Sequence, residues 1–502
     1  MPAGTSRIER PRRILCDWPL SKTIRLSDED SFPAGPNQLM RPTIMKFGGT
    51  SVEDADAFRR VAAIVKLAVN AQPVLVVSAI AGFTNSLLAS VETAVKGDTR
   101  AAARTLDADF ERHLSIANEL LEPDPRAAFV SVVGDARSKI RQLHKIIAAH
   151  PVTSPPLQDE IVAYGEQLSS QLMTAILRQS GLAGRYVDAR NCIKTDDVYG
   201  SAVPRPETTT TTRTEIAPLL LAAQIPVLGG FIGSTERGVT TTLGRGGSDY
   251  TAALIGAALD AREIEIWTDV SGVLTADPRI VPEAQTIRVL SYQEAAELAY
   301  FGAKVLHPKT IQPAVDKNIP VRVCNSRAPK EGGTLILSKS EAAPQTVKAI
   351  AHKSGITTVQ ITSARMLGAY GFLRALFEVF DRHQTAVDVV TTSEVSVSLS
   401  IDDAGTLPQL IPDLEQLGTV EIEKNRTIIS IIGEGLRSTP GIAARVFSVI
   451  DDINVSMISV GASSVNLTFL VEESRAVDAI NRLHRVCFEP SQVAPAPEEI
   501  NA

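Results

Sequence analysis

From about residue 43 onward, short apolar runs alternate with segments in which apolar residues recur at helical spacing. The pattern predicts strands over 43–45, 73–78, 226–232, 263–268 and 320–324, and helices over 52–67, 169–179 and 251–259. Alternation of this kind is typical of βαβ units, so it predicts an α/β domain with helices on both faces of a mostly parallel sheet. Ligands bind beyond the carboxyl ends of the strands in such sheets, and almost every polar motif of this chain follows a strand.

The pattern changes beyond a segment rich in proline, glycine and charge at 328–350. The residues from Gly371 to Asp381 recur as Gly441 to Asp451, and 395–399 recur as 465–469, both with an offset of 70 residues. Each unit is predicted to contain, in order, a strand, a helix, two strands, a helix and a strand. The shared offset predicts two copies of a small α+β module.

These patterns divide the chain into five predicted segments. They are a disordered tail or over-called start at 1–42, the α/β domain at 43–338, a first α+β module at 339–425, a second at 426–490, and a flexible tail at 491–502. Residues 1–42 carry arginines, prolines and an acidic cluster but no apolar stretch, which argues against a secretory signal. Met40 and Met45 are alternative starts just before the first strand.

Composition narrows the classes of function. The 502 residues are 44% hydrophobic and 21% charged, as in an ordinary globular protein, and the net charge of −7 argues against a partner that is nucleic acid or an anionic membrane. No apolar run is long enough to span a bilayer. The four cysteines and seven histidines are dispersed, which fits a reducing cytoplasm and predicts no metal site built from protein ligands alone.

The first glycine motif runs from Lys46 to Ser51 and contains Gly48 and Gly49. A strand, a glycine turn and a helix start can seat an anion on backbone N–H groups, and the lysine adds a full charge. Taken alone, the motif is explained equally well as an ordinary strand–helix turn with a surface lysine.

The second glycine motif, 244–249, opens a helix. Arg245 offers a planar fork for a carboxylate or phosphate, and Ser248 is a natural N-cap. Thr268 and Asp269 follow a strand, and Glu166 lies in the predicted first turn of a helix. Each of these has an ordinary structural explanation when considered singly.

Taken together and in order, the motifs at 46–52, 230–233, 243–250, 267–270 and 301–308 resemble those of the aspartate kinase family, and the repeats resemble its paired ACT modules. The likeness covers about 44–490 and extends to the lysine-sensitive, monofunctional members. It implies the three-layer αβα amino-acid kinase fold followed by two ferredoxin-like ACT modules. It also implies phosphoryl transfer from ATP with Mg2+ to the side-chain carboxylate of L-aspartate, the first step of lysine, threonine and methionine biosynthesis.

The resemblance assigns roles residue by residue. The residues implied in catalysis are Lys46, Asp249 and Lys304. Those implied in ATP binding are Lys46, Gly48, Gly49, Thr268, Asp269, Leu274, Arg279 and Lys304. Those implied in aspartate binding are Ser78, Thr84, Glu166, Arg245, Gly246, Gly247, Ser248 and Asp249. Leu274 departs from the tyrosine that some members place against the nucleotide.

The chemistry agrees with this inventory. A carboxylate nucleophile is already ionised at neutral pH, so no histidine base is needed. The reaction needs two anions positioned and the phosphate charge neutralised. Magnesium binds through few protein ligands plus phosphates and water, which fits the absence of a protein-only metal cage.

The regulatory half resembles the effector site of lysine-inhibited members. An acid there can pair with the amine of L-lysine, and a helix start can meet its carboxylate. The residues implied are Met366, Gly371, Phe372, Leu373, Val387, Asp388, Ser393 and Glu394. Threonine, or both amino acids together, stays open as the effector. Family members place this site between two chains, which implies a homodimer through the ACT modules.

Three other functions compete with this one. Kinases of glutamate, acetylglutamate, carbamate or UMP belong to the same class, but the loop at 47–51, Glu166 and the repeats favour aspartate. A sensor with a dead kinase domain would have lost Lys46, Arg245 or Asp249, and all are present. A bifunctional kinase–dehydrogenase needs a dinucleotide domain after the second repeat, where this chain ends.

Overall fold

The computed structural model describes residues 41–150, 155–302, 306, 308–338, 347–368, 370–402 and 404–489. The strands are β1 Thr43–Phe47, β2 Pro73–Val77, β3 Gly184–Tyr186, β4 Ile225–Gly229, β5 Ile232–Ser234, β6 Thr240–Thr242, β7 Glu263–Thr268, β8 Val289–Ser291, β9 Val321–Asn325, β10 Thr334–Leu337, β11 Ala349–Thr362, β12 Val390–Thr392, β13 Ser396–Ile401, β14 Thr419–Ile432, β15 Val455–Val460 and β16 Asn466–Glu472.

The helices are α1 Ala55–Leu67, α2 Phe83–Val95, α3 Thr99–Thr105, α4 Asp107–Leu120, α5 Pro123–Ala149, α6 Pro155–Gln179, α7 Ala189–Cys192, α8 Glu207–Leu221, α9 Gly247–Ala258, α10 Tyr292–Tyr300, α11 Gln312–Asp316, α12 Phe372–Arg382, α13 Leu407–Glu415, α14 Ile442–Phe447 and α15 Glu473–Phe488. Short 3-10 turns, such as Gly49–Val52 and Ala364–Met366, connect several of these elements.

The first sheet has the strand order β3-β4-β2-β1-β7-β9-β10-β8, and β3 through β9 pair in parallel. Alternate side chains of its strands enter two different cores. Ile44 and Val76 pack on the side of α8 and α9, whereas Met45 and Val77 pack on the side of α1 and α6. The three-layer αβα fold expected from the sequence is thereby confirmed, with β1 at its centre between β2 and β7.

The second sheet is antiparallel and has the order β12-β13-β11-β14-β16-β15. The helices α12 and α13 pack with β13 in one apolar core, and α14 and α15 pack with β16 in another, as two α+β modules require. The two modules share the long strands β11 and β14. The predicted ACT architecture is confirmed in this sheet.

The shared strands add a connection that the repeat pattern did not predict. Residues 349–353 of β11 lie within the segment predicted as the first module, yet they pair with 428–432 of β14, beside β16 of the second. The register shifts between Lys353 and Ile356, around Gly355 with its positive φ of 76°, and 357–362 then pair with β13. The predicted boundaries between the modules stay a prediction, since the strands run through both.

Several predicted elements differ at their ends. The strand predicted over 226–232 breaks at Gly229, and Phe231 has a φ of 67°, so β5 begins as a separate strand. Helix α1 begins at Ala55 rather than 52, because the Asp54 carboxylate accepts the backbone N–H of Ala57 and caps it. Helix α6 begins near 155, well before the predicted 169.

Candidate active site

The polar motifs meet at the carboxyl ends of β1, β2, β4 and β7. The ladder continues past the strand ends: Gly48 N donates to Trp267 O at 3.0 Å, Ser78 N to Phe47 O at 3.0 Å, and Gly230 N to Val77 O at 3.0 Å. These bonds place the first glycine motif and the residues that follow β2 and β4 on one edge of the sheet. The motifs that follow these strands therefore lie at the edge where ligands bind in sheets of this kind.

Lys46 and Asp249 form the central ion pair. The Lys46 Nζ to Asp249 Oδ1 distance is 2.7 Å, and the two side chains are 12% and 14% exposed. Asp249 lies in the first turn of α9, whose N-cap is Gly246 with a φ of 72°. The prediction of Ser248 as N-cap was wrong, because the helix begins at Gly247 and Ser248 already lies inside it.

Glu166 reaches the site from α6. A Cβ on Gly229 would lie 2.9 Å from the Glu166 Cβ, so this close approach of α6 to β4 requires a glycine. Glu166 is 4% exposed, and no hydrogen-bond partner among the described residues reaches its buried Oε2. Burial raises the pKa of Glu166 to about 8.

These residues border one cavity of about 690 Å3, a size usual for small-ligand sites. Ten of the predicted site residues line it: Lys46, Gly49, Ser78, Thr84, Glu166, Arg245, Gly246, Gly247, Ser248 and Asp249. All eight residues predicted for aspartate binding are among them. The cavity thus combines a lysine, an arginine, backbone N–H groups and three acids.

Sequence reasoning missed other lining residues, including Asn85, Asp159, Gly200, Phe231 and Thr242. Asp159 carried a detectable signal, because it lies two helical turns before Glu166 and so on the same face of α6. Gly200 and Thr242 come from a loop and a short strand whose positions only the tertiary structure reveals.

Of the residues predicted for ATP binding, Lys46 and Gly49 line this cavity, whereas Gly48, Thr268, Asp269, Leu274 and Arg279 do not. Thr268 ends β7 next to β1, where its hydroxyl donates to Asp269 Oδ1 at 3.1 Å, and Leu274 forms a bridge with Thr286. Arg279 is exposed and pairs with Asp277 at 2.6 Å. Gly48 adjoins the lysine, since a Cβ there would lie 3.6 Å from Lys46 Nζ. Lys304 lies outside the described residues.

The predicted effector residues lie in the first α+β module. Gly371, with a φ of 86°, caps α12, which begins at Phe372 and Leu373, and Met366 ends a 3-10 turn. Met366, Phe372 and Val387 pack partly buried against the same apolar cluster. Ser393 bonds Ser396, and Glu394 is exposed.

Asp388 differs from the other predicted effector residues because its carboxylate already interacts with other side chains of this chain. The Asp388 side chain is 3% exposed and pairs with Lys353 Nζ at 3.3 Å, and it accepts a hydrogen bond from the Tyr300 hydroxyl. Lys353 also pairs with Asp402. Burial, and next the neighbouring Asp402 carboxylate, raise the pKa of Asp388. Tyr300 belongs to α10 of the α/β domain, so the cluster joins that domain to the regulatory sheet.

Within the described residues, no group of three acidic, histidine or cysteine side chains is arranged to hold a metal ion. None of the described helices has both the length and the apolar character that crossing a membrane requires.

Comparisons with known proteins agree with this geometry. The profile of the amino acid kinase family matches residues 41–325, and that of the ACT domain matches 429–486. Lysine-sensitive aspartokinase 3 of Escherichia coli is 39% identical over 460 residues, covering 89% of this chain and 99% of that protein. Aspartokinase 2, chloroplastic, of Arabidopsis thaliana is 38% identical, covering 89% of this chain and 84% of that protein.

Solved structures give the same result. Escherichia coli aspartokinase III in complex with aspartate and ADP has a TM-score of 0.75 and 39% identity, covering 89% of this chain and 100% of that one. The same enzyme in complex with lysine and aspartate has a TM-score of 0.76, 40% identity and the same coverage. The fold and site define an amino acid kinase. The chain belongs to that family and, within it, to the aspartokinases.

Proposed function

We propose that this chain transfers the γ-phosphoryl group of ATP to the side-chain carboxylate of L-aspartate and forms 4-phospho-L-aspartate. The observation that carries the proposal is the buried Glu166 carboxylate, which lines the cavity and has an oxygen without a partner among the described residues. A buried acceptor of this kind is costly unless a ligand satisfies it. The α-ammonium group of aspartate provides both the donors and the charge.

Aspartate fits the remaining walls of the cavity. Arg245 would hold the α-carboxylate with its planar fork, and Ser78 and Thr84 would contact the substrate from the other side. The side-chain carboxylate then points towards the amides of 246–248. Because this carboxylate is ionised at neutral pH, it attacks without a general base.

Lys46 would neutralise the charge that develops on the transferring phosphoryl group. Asp249 holds the lysine through the 2.7 Å ion pair, so the ammonium is positioned before substrate arrives. Gly48 and Gly49 allow the phosphates to approach the backbone closely. Thr268, Asp269, Leu274 and Arg279 would contact the rest of the nucleotide, and Lys304 is proposed for the phosphates on the resemblance alone.

The residues present fit a magnesium ion carried by the nucleotide. Asp249 offers a carboxylate at the cavity wall, and the described residues contain no competing metal cluster. Asp249 would be one ligand of the ion, and phosphate oxygens and water would be the others, as is usual for magnesium in proteins. When bound, the ion neutralises phosphate charge.

We further propose feedback inhibition by L-lysine at the first α+β module. Met366, Phe372 and Val387 of the predicted effector residues pack against one apolar cluster there, and Gly371 caps the N-terminus of α12. Asp388 would bind the effector amine after its partner Lys353 moves away. A homodimer through the ACT modules and a cytoplasmic location complete the proposal.

Trapping the acyl phosphate with hydroxylamine tests the function. Protein incubated with MgATP and L-aspartate should yield aspartyl hydroxamate, whereas L-glutamate should yield none. Added lysine should suppress the product. A folded protein that binds lysine but forms no hydroxamate from either amino acid would refute the kinase and favour an amino-acid sensor.

A further inference from the structure

Asp159 is a buried carboxylate of the same cavity. It lies on α6 two turns before Glu166, and the residue is only 2% exposed. No basic side chain pairs with it among the described residues. Burial raises the pKa of Asp159 although hydrogen bonds from Gly200 and Thr242 favour the charged form.

Its two oxygens join two separate segments of chain. Asp159 Oδ2 accepts the backbone N–H of Thr242 at 2.8 Å and that of Gly200 at 2.9 Å. Asp159 Oδ1 accepts the Thr242 hydroxyl at 3.0 Å. Every donor therefore belongs either to β6 or to the loop around Gly200.

Both segments adjoin the second glycine motif: β6 precedes it in the chain, and the loop around Gly200 contacts it in space. Arg245 follows Thr242 by three residues, and Ala202 N donates to Thr242 O at 2.9 Å. A Cβ on Gly244, whose φ is 75°, would lie 3.1 Å from Gly200 O. The loop around Gly200 and the backbone before Arg245 are therefore packed against each other, and Asp159 is hydrogen-bonded to both segments.

We propose that Asp159 is a positioning residue for substrate binding: it holds Thr242 and Gly200 so that Arg245 presents its guanidinium to the α-carboxylate of aspartate. The inference rests on the role of Arg245 in the function proposed above. Asp159 itself contacts no reacting atom, and its effect reaches the substrate through the backbone of 242–245.

The hydrogen-bond pattern predicts which substitution rescues the site. In Asp159→Asn, the amide oxygen can accept both backbone N–H groups in place of Oδ2. The amide nitrogen can then donate to the Thr242 hydroxyl, which turns to accept. In Asp159→Ala, the buried N–H group of Thr242 and the partly buried one of Gly200 lose their acceptor, and the loop before Arg245 loses its anchor.

The test measures aspartate and ATP kinetics with the hydroxamate assay. For Asp159→Ala we expect the KM for aspartate to rise at least about tenfold, because small misplacements of binding groups carry large kinetic penalties. The KM for ATP should stay unchanged. Asp159→Asn should return the aspartate KM to within about threefold of the parent. Ser90→Ala is the matched control, because it removes a buried hydroxyl that bonds His144 and Leu87 O, between α2 and α5.

A double-mutant cycle separates positioning from general destabilisation. If Asp159 acts through Arg245, Asp159→Ala should add little to the aspartate KM of Arg245→Ala. Additive effects, an unchanged aspartate KM in Asp159→Ala, or an Asp159→Asn variant as impaired as Asp159→Ala would each overturn the inference. A parent protein that forms no aspartyl hydroxamate would instead refute the function on which it rests.

Discussion

Glu166→Gln should stabilise the protein at neutral pH while weakening its binding of aspartate. The carboxylate is buried without a partner for one oxygen among the described residues, and burial raises its pKa from 4.5 to about 8. The folded protein therefore binds the Glu166 proton more tightly than the unfolded chain does. Glutamine is close in shape and has no charge to bury, so it avoids the penalty.

The magnitude follows from linkage between protonation and folding. With a folded-state pKa above the unfolded one, the stability contributed by this group is fully present below about pH 4.5 and is lost as the pH rises towards about 8. Between pH 5 and pH 7 the loss amounts to about 2–3 kcal/mol. The difference in free energy of unfolding between Glu166→Gln and the parent should grow by that amount over this interval.

Urea unfolding followed by circular dichroism at pH 5, 6 and 7 measures this difference. Glu122→Gln is the matched control, because Glu122 is exposed and forms no ion pair among the described residues. The KM for aspartate should rise in Glu166→Gln by about tenfold to a hundredfold, since a charge-assisted bond to the ammonium is lost. If the stability difference between Glu166→Gln and the parent does not change with pH, the Glu166 carboxylate is not held in a desolvated site and the reasoning fails.

Four further predictions concern the same machinery. Lys46→Met should lower kcat about a hundredfold or more in the hydroxamate assay, because phosphoryl charge loses its fixed cation. Arg245→Lys should raise the KM for aspartate about tenfold without changing that for ATP, because lysine lacks the planar fork. The kcat/KM for aspartate should rise with pH and level off above about pH 8, as Glu166 becomes ionised. Lys353→Met should lower the lysine concentration that half-inhibits the enzyme, because no internal ammonium then competes for Asp388, whereas Asp388→Asn should abolish inhibition.

Three of these predictions have contradicting outcomes of their own. Lys66→Met, on the exposed face of α1, controls for the loss of a surface lysine, and equal kcat values for it and Lys46→Met would contradict the catalytic role. A kcat/KM that is flat from pH 6 to pH 9 would contradict the role of Glu166. Inhibition that is unaltered in Lys353→Met would show that the Lys353 and Asp388 pair does not oppose the effector.

Much of the fold followed from local patterns. Strands β1, β2, β7 and β9 lie within two residues of their predicted ends, because β2 is a continuous apolar run and β7 and β9 alternate buried apolar residues with more polar ones. The 70-residue repeat correctly predicted two α+β modules. Helix α6 was predicted too short, because its first half buries Asp159 and Glu166 and so lacks a simple apolar stripe.

Some features of the site were also predicted from the sequence, and others were found only in the structure. The resemblance of the ordered motifs to the aspartate kinase family implied all eight aspartate-binding positions now found around one cavity, although their roles remain predictions. Sequence did not predict that residues 349–353 pair within the second module, because strand pairing across the first module leaves no local signal. It also did not predict that Asp388 pairs with Lys353 and accepts a hydrogen bond from Tyr300.

The sequence by itself determined local features of this protein: the segments that form strands β1, β2, β7 and β9, the presence of two α+β modules, and the family that the motifs resemble. Only the tertiary structure decided the electrostatic state of its side chains. Glu166 becomes a buried acid with a raised pKa, Asp159 an anchor for two loops, and Asp388 a partner of Lys353 through contacts between residues distant in the chain. Local backbone preference acts over a few residues, whereas desolvation and charge pairing depend on every segment that packs around a group.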